Sequence, residues 1–413
     1  MIKYINNVPF VEEASLNDIL KVCQTPFYLY SQEIITKKVK MTKKILGNNI
    51  FFSVKSNSNQ AILKLMQSLD LGADVVSIGE LKRALTAGFT PEKIIFEGVG
   101  KSKDDLLYAI QKNIRLINTE SLEEIKLLEK LANEKNKKIN IGVRLNPNID
   151  GGTLNKISTG KKTDKFGIEI EDINNIISLV KNSPNLNLIG ISCHIGSQIS
   201  KISAYKNTFL EMKAAADNFV NAGIKIKNVD LGGGFHIQYK DDDPKFNIED
   251  IKKELDICFN KSDYELSFEP GRFLIAEAGI LITSILTIKN NGGITYLIVD
   301  AGMNTLIRPA MYNSYHQIES TNNSSNEQIT YSVAGPICES SDIFLKNIIL
   351  PKQTIGDALI IHDTGAYGKV MSSNYNTRPL PFEVLVNKDL FGIIYAPNKI
   401  EQTIEEDIIP SWL

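Results

Sequence analysis

The chain has 413 residues, a length that predicts two domains rather than one ordinary core. Its formal net charge is -2 and 43% of its residues are hydrophobic, so nucleic acid and anionic membranes are not expected partners. Four scattered cysteines, with no CxxC pair and no apolar run of membrane-spanning length, predict a reduced cytoplasmic protein. The four dispersed histidines offer no metal site by their spacing.

Between about residues 50 and 270, short β-rich runs alternate with longer segments of helical periodicity. The segment 121–134, for example, places Leu122, Ile125, Leu128 and Leu131 on one helical face. Strands are predicted at 50–54, 73–76, 94–97, 115–118, 139–145, 188–193, 227–231 and 264–268. Eight such units favour a closed (β/α)8 TIM barrel, with a doubly wound open sheet as the alternative.

After Arg272 the pattern changes to β-branched runs without long helical segments. Strands are predicted at 280–288, 295–299, 328–333, 358–362 and 383–386, separated by turn signals such as Asn291-Gly292-Gly293. These runs indicate a C-terminal antiparallel β domain. The segment 25–30 is a further predicted strand that could join either domain, and 321–328 is a predicted polar loop.

TIM barrels carry their chemistry at the C-terminal ends of their strands. The residues at these ends are polar, titratable or glycine, namely Lys55, Asp74, Asn118, His194, the triplet Gly232-Gly233-Gly234 and Glu269. Lys55 ends an apolar strand, where partial desolvation favours a neutral, nucleophilic amine that can form a Schiff base. A rim lysine that extends its amine to water is the alternative for this position.

Other strand ends suggest anion and ring binding. The glycine triplet follows the seventh strand, where backbone N–H groups of barrels often bind phosphate, although a flexible turn is the alternative. Glu269 closes the eighth strand and could pair with a pyridine nitrogen or form an ion pair with Arg272. His194 could stack on a cofactor ring or be an ordinary rim histidine, and Ser197 could donate to a phosphate.

One motif is excluded as a nucleotide site. Gly98-Val99-Gly100-Lys101-Ser102 is similar to the end of a P-loop. The full pattern requires a glycine at position 95, where Ile95 stands.

In combination, these motifs resemble the fold-type III pyridoxal-phosphate (PLP) decarboxylases, and in particular the diaminopimelate decarboxylase family. The similarity runs in order over nearly the whole chain. In the barrel it comprises the segments 54–57, 72–77, 194–198, 232–234 and 269–272. In the β domain it comprises the segments 300–304, 306–312, 335–342, 365–368 and 371–379.

The resemblance implies pyridoxal 5′-phosphate as the cofactor, held by Lys55 as a Schiff base. His194 would stack on the pyridine ring, Glu269 would pair with its nitrogen and Tyr367 would contact the cofactor. The phosphate would be held by Ser197, Gly234 and the backbone of Pro270, Gly271 and Arg272. The implied domains are an N-terminal segment, 1–30, that packs with the β domain, a cofactor-binding barrel, 31–272, and a β domain, 273–413.

The resemblance also implies the substrate and the reaction. Meso-2,6-diaminopimelate would lose CO2 to give L-lysine, the last step of lysine biosynthesis. The distal end of the substrate would be bound by Arg272, Arg308, Tyr312, Glu339 and Tyr367. Arg308 would matter for specificity, because a guanidinium can donate two hydrogen bonds to a second carboxylate. Cys338 would protonate the carbanion from the partner subunit, which implies a homodimer with shared active sites.

Three alternatives stay open. The first is a sister decarboxylase acting on ornithine, a D-amino acid or carboxynorspermidine, the second a racemase on the same fold, and the third an inactive homologue that binds protein partners. The sequence also departs from the family pattern at Ser56, where alanine is usual, at Thr305, where an acid is usual, and at His236 after the glycine triplet.

Overall fold

The computed structural model describes residues 1–152, 159–322 and 325–413. The chain falls into two compact units. The β unit comprises Met1–Lys37, Tyr239–Asp243 and Leu274–Leu413, and the barrel unit comprises Lys38–Gln238 and Pro244–Phe273. In the described ranges no helix is both long enough and apolar enough to cross a membrane.

The chain begins in the β unit. A small antiparallel sheet and one helix precede a fully buried strand, in the order β1 (Ile2–Ile5), β2 (Val8–Val11), β3 (Ala14–Ser15), α1 (Leu16–Val22) and β4 (Phe27–Ser31). Helix α2 (Gln32–Leu46) then leads into the barrel unit.

The barrel unit alternates parallel strands with helices. Its strands are β5 (Phe51–Ser53), β6 (Gly72–Val75), β7 (Ile94–Phe96), β8 (Leu116–Thr119), β9 (Ile139–Asn146), β10 (Ile168–Glu169), β11 (Leu186–Ser192), β12 (Asn228–Asp230) and β13 (Glu265–Ser267). Its helices are α3 (Gln60–Ser68), α4 (Ile78–Thr86), α5 (Lys103–Lys112), α6 (Leu122–Lys135), α7 (Ile173–Lys181), α8 (Ile202–Asn221) and α9 (Ile248–Cys258). The short β10 only extends β9.

The other eight strands close into a barrel. They are hydrogen-bonded in chain order from β5 to β13. The two ends of this series meet through a parallel bridge between Ile50 and Phe268, where the N–H of Phe51 donates to the carbonyl of Phe268 at 2.8 Å. The predicted TIM barrel is therefore confirmed, and the open sheet is not formed. Each predicted barrel strand overlaps an observed one, with ends that differ by at most two residues.

The predicted helix at 121–134 shows why the elements form where they do. It is α6, which buries Ile125, Leu128 and Leu131 along one face. Ser121 caps its start by accepting the N–H of Glu124 at 3.1 Å, and Asn136 ends it in the left-handed conformation. Apolar spacing and capping chemistry thus agree.

After the barrel the chain returns to the β unit. Its strands there are β14 (Gly279–Asn291), β15 (Ile294–Val299), β16 (Ile318–Ser320), β17 (Gln328–Ala334), β18 (Ile343–Pro351), β19 (Ala358–Ile361), β20 (Phe382–Asn387) and β21 (Leu390–Tyr395). Three short helices accompany them, α10 (Arg272–Ile275) at the boundary, α11 (Arg308–Tyr312) and α12 (Ile400–Glu405).

The sheet of the β unit is mixed, which differs from the antiparallel sheet predicted. Its main order is β18-β17-β15-β14-β4-β20-β21. Most neighbours are antiparallel, but β15 with β17 and β20 with β4 are parallel, because longer connections return these strands in the same direction. The N-terminal strand β4 lies between β14 and β20, and Phe27, Leu29, Ile280, Ile282 and Val384 share one core there.

Candidate active site

Lys55 lies in a one-turn 3-10 helix, Val54–Ser56, directly after β5. Its Nζ is 2.9 Å from Oδ2 of Asp74 on β6, and Ser53 Oγ donates to the same oxygen at 2.8 Å. Asp74 is fully buried, while the side chain of Lys55 is 37% exposed. The amine is thus held against a buried carboxylate at the C-terminal end of the barrel, with access to solvent on one side.

Glu269 follows β13 and is buried, and its Oε1 has no hydrogen-bond partner within the described part of the chain. Burial raises the pKa of Glu269 well above its ordinary value. The nearby carboxylates of Asp230, Asp74 and Glu97 raise the pKa further, and the cationic Lys55 lowers it. A buried carboxylate oxygen of this kind calls for an N–H donor.

His194 follows β11 and is neutral. Burial lowers the pKa of its imidazole well below the ordinary value, and the positive charges of Arg144 and Lys55 lower it further. The N–H of Gly233 points at His194 Nδ1 over 3.4 Å, an arrangement that leaves the ring proton on Nε2. An uncharged ring is suited to stacking on an aromatic cofactor.

The glycine triplet packs closely between neighbouring loops rather than forming a loose turn. Gly234 has a φ of +77°, and a Cβ there would lie 2.2 Å from the carbonyl oxygen of Gly196. Next to it, Arg272 donates through Nε and Nη2 to Ser197 Oγ, both at 3.3 Å. A hydroxyl, a guanidinium and glycine backbone are therefore grouped on the segments that follow β11, β12 and β13, which suits an anion.

The β unit carries the other predicted site residues. Arg308 begins α11 and is buried, with Nη1 donating to Tyr239 Oη at 2.8 Å and Nη2 to Ser314 Oγ at 3.2 Å. Tyr312 ends the same helix and is half-buried. Tyr367, on the loop after β19, is half-buried with a φ of +55°.

Cys338 and Glu339 lie in the turn after β17, and both are exposed. The N–H of Cys338 donates to Asn376 Oδ1 at 3.1 Å, and the Tyr375 hydroxyl donates to Glu339 Oε1 at 2.7 Å. The carboxylate of Asp342 holds this turn by accepting the N–H of Ile337 at 2.7 Å. The thiol is thus presented at a surface of the chain by a well-fixed turn.

Comparison with known proteins identifies the family. The model of the pyridoxal binding domain of pyridoxal-dependent decarboxylases matches residues 32–276. Diaminopimelate decarboxylase of Vibrio cholerae is 39% identical to this chain, covering 92% of it and 91% of that protein. The enzyme of the same name from Zymomonas mobilis is 36% identical, covering 99% of this chain and 98% of its own.

This chain belongs to the diaminopimelate decarboxylase family.

Solved structures agree with this membership. Diaminopimelate decarboxylase of M. jannaschii in complex with L-lysine superposes with a TM-score of 0.94 at 33% identity, covering 100% of this chain and 99% of that one. The Helicobacter pylori enzyme in complex with L-lysine gives a TM-score of 0.90 at 36% identity over 94% and 99% of the two chains. The predicted family, the barrel with a separate β domain, the PLP cofactor and the decarboxylase class are confirmed.

The residues of the barrel fit the cofactor of this family. The buried Oε1 of Glu269 without a partner matches the N–H of a protonated pyridine ring. The cradle at Gly234 would be filled by any Cβ, and Ser197 with Arg272 supplies donors for a phosphate. The amine of Lys55 lies at the same end of the barrel.

The departures from the family pattern are accommodated locally. Ser56 Oγ donates to the carbonyl of Ser53 at 2.7 Å. Thr305 Oγ1 donates to the carbonyl of Gly302 at 2.8 Å and accepts its N–H at 3.0 Å. His236 is buried in the barrel unit. The hydroxyls of Ser56 and Thr305 thus both donate to the backbone carbonyl of the residue three positions earlier.

The P-loop-like segment has a structural role. The side chain of Lys101 is fully buried, with Nζ 2.8 Å from Glu124 Oε1. Ser102 caps α5 by accepting the N–H of Asp105 at 3.1 Å, and Asp105 returns the bond in a capping box. The lysine and the hydroxyl that would bind a phosphate in a P-loop thus form an ion pair and a helix cap instead.

A network of buried charges at this end of the barrel was not foreseen from the sequence. Arg144 Nη1 on β9 donates to Glu120 Oε1 at 3.0 Å. Glu120 also accepts the N–H groups of Gly98 and Gly167, each at 3.0 Å, so that it joins three successive loops. Glu97, beside it, accepts from Asn118. The sequence feature that could have indicated this network is the presence of charged residues within or directly after apolar strands.

Proposed function

We propose that this chain decarboxylates meso-2,6-diaminopimelate and releases L-lysine. The observation that carries the proposal is the near-full-length similarity to diaminopimelate decarboxylases, two of which were solved with L-lysine. The buried guanidinium of Arg308 supports it, because diaminopimelate offers a second carboxylate and ornithine and lysine do not.

In the proposed site, Lys55 holds the cofactor, and Asp74 Oδ2 is placed to accept a proton from its amine. Ser197, Gly234 and the backbone of Pro270, Gly271 and Arg272 hold the phosphate, and Tyr367 contacts the cofactor. When bound, PLP supplies a protonated aromatic ring that takes up the electron pair left by CO2. Glu269 would keep the proton on that ring, and the neutral imidazole of His194 would stack against the ring.

The β unit is proposed to select the substrate and deliver the proton. Arg308 binds the distal carboxylate, Tyr312 and Glu339 bind the rest of the distal end, and Arg272 assists from the barrel. Cys338 passes its Sγ proton to the carbon that has lost CO2. The thiol is exposed in the single chain, which is compatible with its acting on the site of a second copy.

We therefore propose a homodimer with shared active sites, acting in the cytoplasm. The dimer rests on the family resemblance and on the exposure of Cys338. The compartment rests on the cysteines, all four of which are free.

The test is CO2 release by the PLP-loaded protein from a panel of meso-diaminopimelate, L-lysine, L-ornithine and L-arginine. Diaminopimelate alone should give CO2, with L-lysine as the product. Lys55→Ala should lose both turnover and the absorbance of a lysine-linked cofactor. Turnover of ornithine without diaminopimelate would show a sister decarboxylase instead. Exchange of the α-hydrogen without CO2 would show a racemase, and normal cofactor absorbance without any turnover would show an inactive homologue.

A further inference from the structure

A five-residue segment of the loop between β12 and α9, Tyr239–Asp243, packs as part of the β unit. Asp243 Oδ2 accepts the N–H of Tyr239 at 2.9 Å and that of Lys240 at 3.3 Å, which fixes the start of the turn. Tyr239 is buried, although Lys240 and the two aspartates after it are exposed. A buried tyrosine usually has a hydrogen-bond partner for its hydroxyl, even when the rest of its turn is exposed.

That partner is Arg308. Its Nη1 donates to Tyr239 Oη at 2.8 Å, and its guanidinium carbon lies 5.1 Å from the centre of the tyrosine ring. Its Nη2 donates to Ser314 Oγ at 3.2 Å. The tyrosine ring in turn meets His316 edge-on, at 5.2 Å and 77°, and His316 Nδ1 lies 2.8 Å from the carbonyl oxygen of His362.

Each terminal nitrogen of Arg308 donates to a hydroxyl group. A planar guanidinium recognises a carboxylate through two parallel hydrogen bonds, which requires a fixed orientation of its plane. The phenol of Tyr239 and the hydroxyl of Ser314 each hold one terminal nitrogen of Arg308, so together they fix the plane of the guanidinium.

We propose that Tyr239, with Ser314, is a positioning residue that orients the Arg308 guanidinium and thereby sets the preference for ligands with a distal carboxylate. The inference rests on the proposed function, in which Arg308 binds that carboxylate. It adds a residue of the barrel-to-helix loop to the determinants of substrate choice.

The product offers a direct probe. Decarboxylation at one end of diaminopimelate leaves the carboxylate of the other end in L-lysine. Cadaverine keeps the two amines of L-lysine and the five carbons that join them, but it has no carboxylate. Inhibition by L-lysine therefore reports on the carboxylate contact, and inhibition by cadaverine reports on the remainder of the site.

Tyr239→Phe keeps the ring and removes the hydroxyl. In the PLP-loaded enzyme, KM for diaminopimelate and the L-lysine inhibition constant should rise about tenfold, the equivalent of one hydrogen bond to a charged group. The cadaverine constant and kcat should stay within about twofold. Ser314→Ala should raise the same two constants by a smaller factor, again without changing the cadaverine constant. If Tyr239→Phe does not fold, Ser314→Ala alone provides the test. On an Arg308→Ala background, Tyr239→Phe should add nothing.

The matched control is Tyr331→Phe. Tyr331 is buried in the same unit, and its Oη accepts the N–H of Gln353 at 3.1 Å. This variant should lose stability and leave both inhibition constants unchanged. Equal weakening of L-lysine and cadaverine by Tyr239→Phe, or the same selective shift in Tyr331→Phe, overturns the proposal. Absence of CO2 release from diaminopimelate by the unmodified enzyme would instead be a failure of the proposed function, seen before any variant is made.

Discussion

Individual acids at the C-terminal end of the barrel are buried close enough to raise one another's pKa. Burial raises the pKa of Asp230 to about 7, and the charges of Glu97 and Asp74 add to the effect. Ser267 Oγ and the N–H of Gly232 oppose it by donating to Asp230 at 2.5 and 2.8 Å. A cluster of buried acids binds a cationic ring more readily than a neutral or anionic one. This is the electrostatic environment that a protonated pyridine ring requires.

Glu80, on α4, gives a pH-dependent prediction for stability. Burial raises its pKa to about 7, Asp74 raises it further, and Lys55 and Arg83 lower it. The unfolded value is about 4.3, so the folded chain holds an extra proton between these two values. The stabilisation from Glu80 is therefore fully present below about pH 4 and is lost as the pH rises through about 7.

Thermal unfolding of the loaded enzyme from pH 5 to 8 tests this expectation. Glu80→Gln should flatten the decline in Tm across this range, because the titrating group is gone. Glu123→Gln is the control, since Glu123 is exposed and its pKa is lowered, away from this pH range, by a hydrogen bond from its own backbone N–H and by Lys126. Identical profiles for the parent and Glu80→Gln would contradict the assignment.

Among elements, the loops after β11 and β12 are bound to each other. The N–H of Ile199 donates to the carbonyl of Gly234 at 2.9 Å. The side-chain amide of Gln198 both donates to the carbonyl of Ile237, at 2.9 Å, and accepts its N–H, at 3.1 Å. The proposed phosphate cradle is therefore formed by two interlocked loops, and a change in one will displace the other.

Gly234→Ala tests this interlock. A Cβ would meet the Gly196 carbonyl at 2.2 Å, so the loops must separate in addition to the cost of a positive φ. Gly223→Ala is the control, because Gly223 has a φ of +85° and nothing lies within 4 Å. The control should lose about 1 kcal/mol of unfolding free energy, and Gly234→Ala should lose more and release PLP faster. Equal losses in urea unfolding, with equal PLP retention, would be evidence against a close-packed cradle.

The barrel strands were predictable because a strand buried on both faces is a continuous apolar run between turn signals. Strands β18 and β21 were not predicted. They lie at the two edges of the mixed sheet and are half-exposed. Lys346 and Asn347 interrupt the apolar run of β18, and Gly392 interrupts that of β21. The parallel pairings in that sheet depend on where long connections return, which local patterns do not encode.

The candidate site divides in the same way. Lys55, Glu269 and the glycine triplet could be singled out from the sequence because each is unusual at the end of an apolar strand, and their roles stay predictions. The pairing of Arg144 with Glu120 was not, because the sequence shows two isolated charges and not their distance. The contact between Tyr239 and Arg308 was not predictable for a similar reason, since 69 residues separate them.

At the scale of the whole molecule, the proposed catalytic lysine and proton donor belong to different units. Lys55 lies in the barrel unit and Cys338 in the β unit. If two copies exchange these residues, variants that lack one or the other can complement each other.

Mixing Lys55→Ala with Cys338→Ala tests the shared site. Each variant alone should be nearly inactive. After exchange of subunits, half of the dimers carry one intact site of two, so about a quarter of the parent activity should return. A mixture of Lys55→Ala with the double variant is the control and should stay inactive. No recovery in the first mixture, with exchange verified by labelled subunits, would mean that each chain completes its own site.

The position of β4 has a consequence for how the chain is made. This strand leaves the ribosome early, but Tyr30 pairs with Gly279 and Phe27 with Phe382. The strand Phe27–Ser31 is fully buried in the finished sheet. During synthesis it therefore has no partner strands in that sheet until the whole barrel has been translated. The barrel segment is nearly continuous and can close first. We therefore expect nascent chains that stop before β20 to expose β4, and to be the species that chaperones must hold.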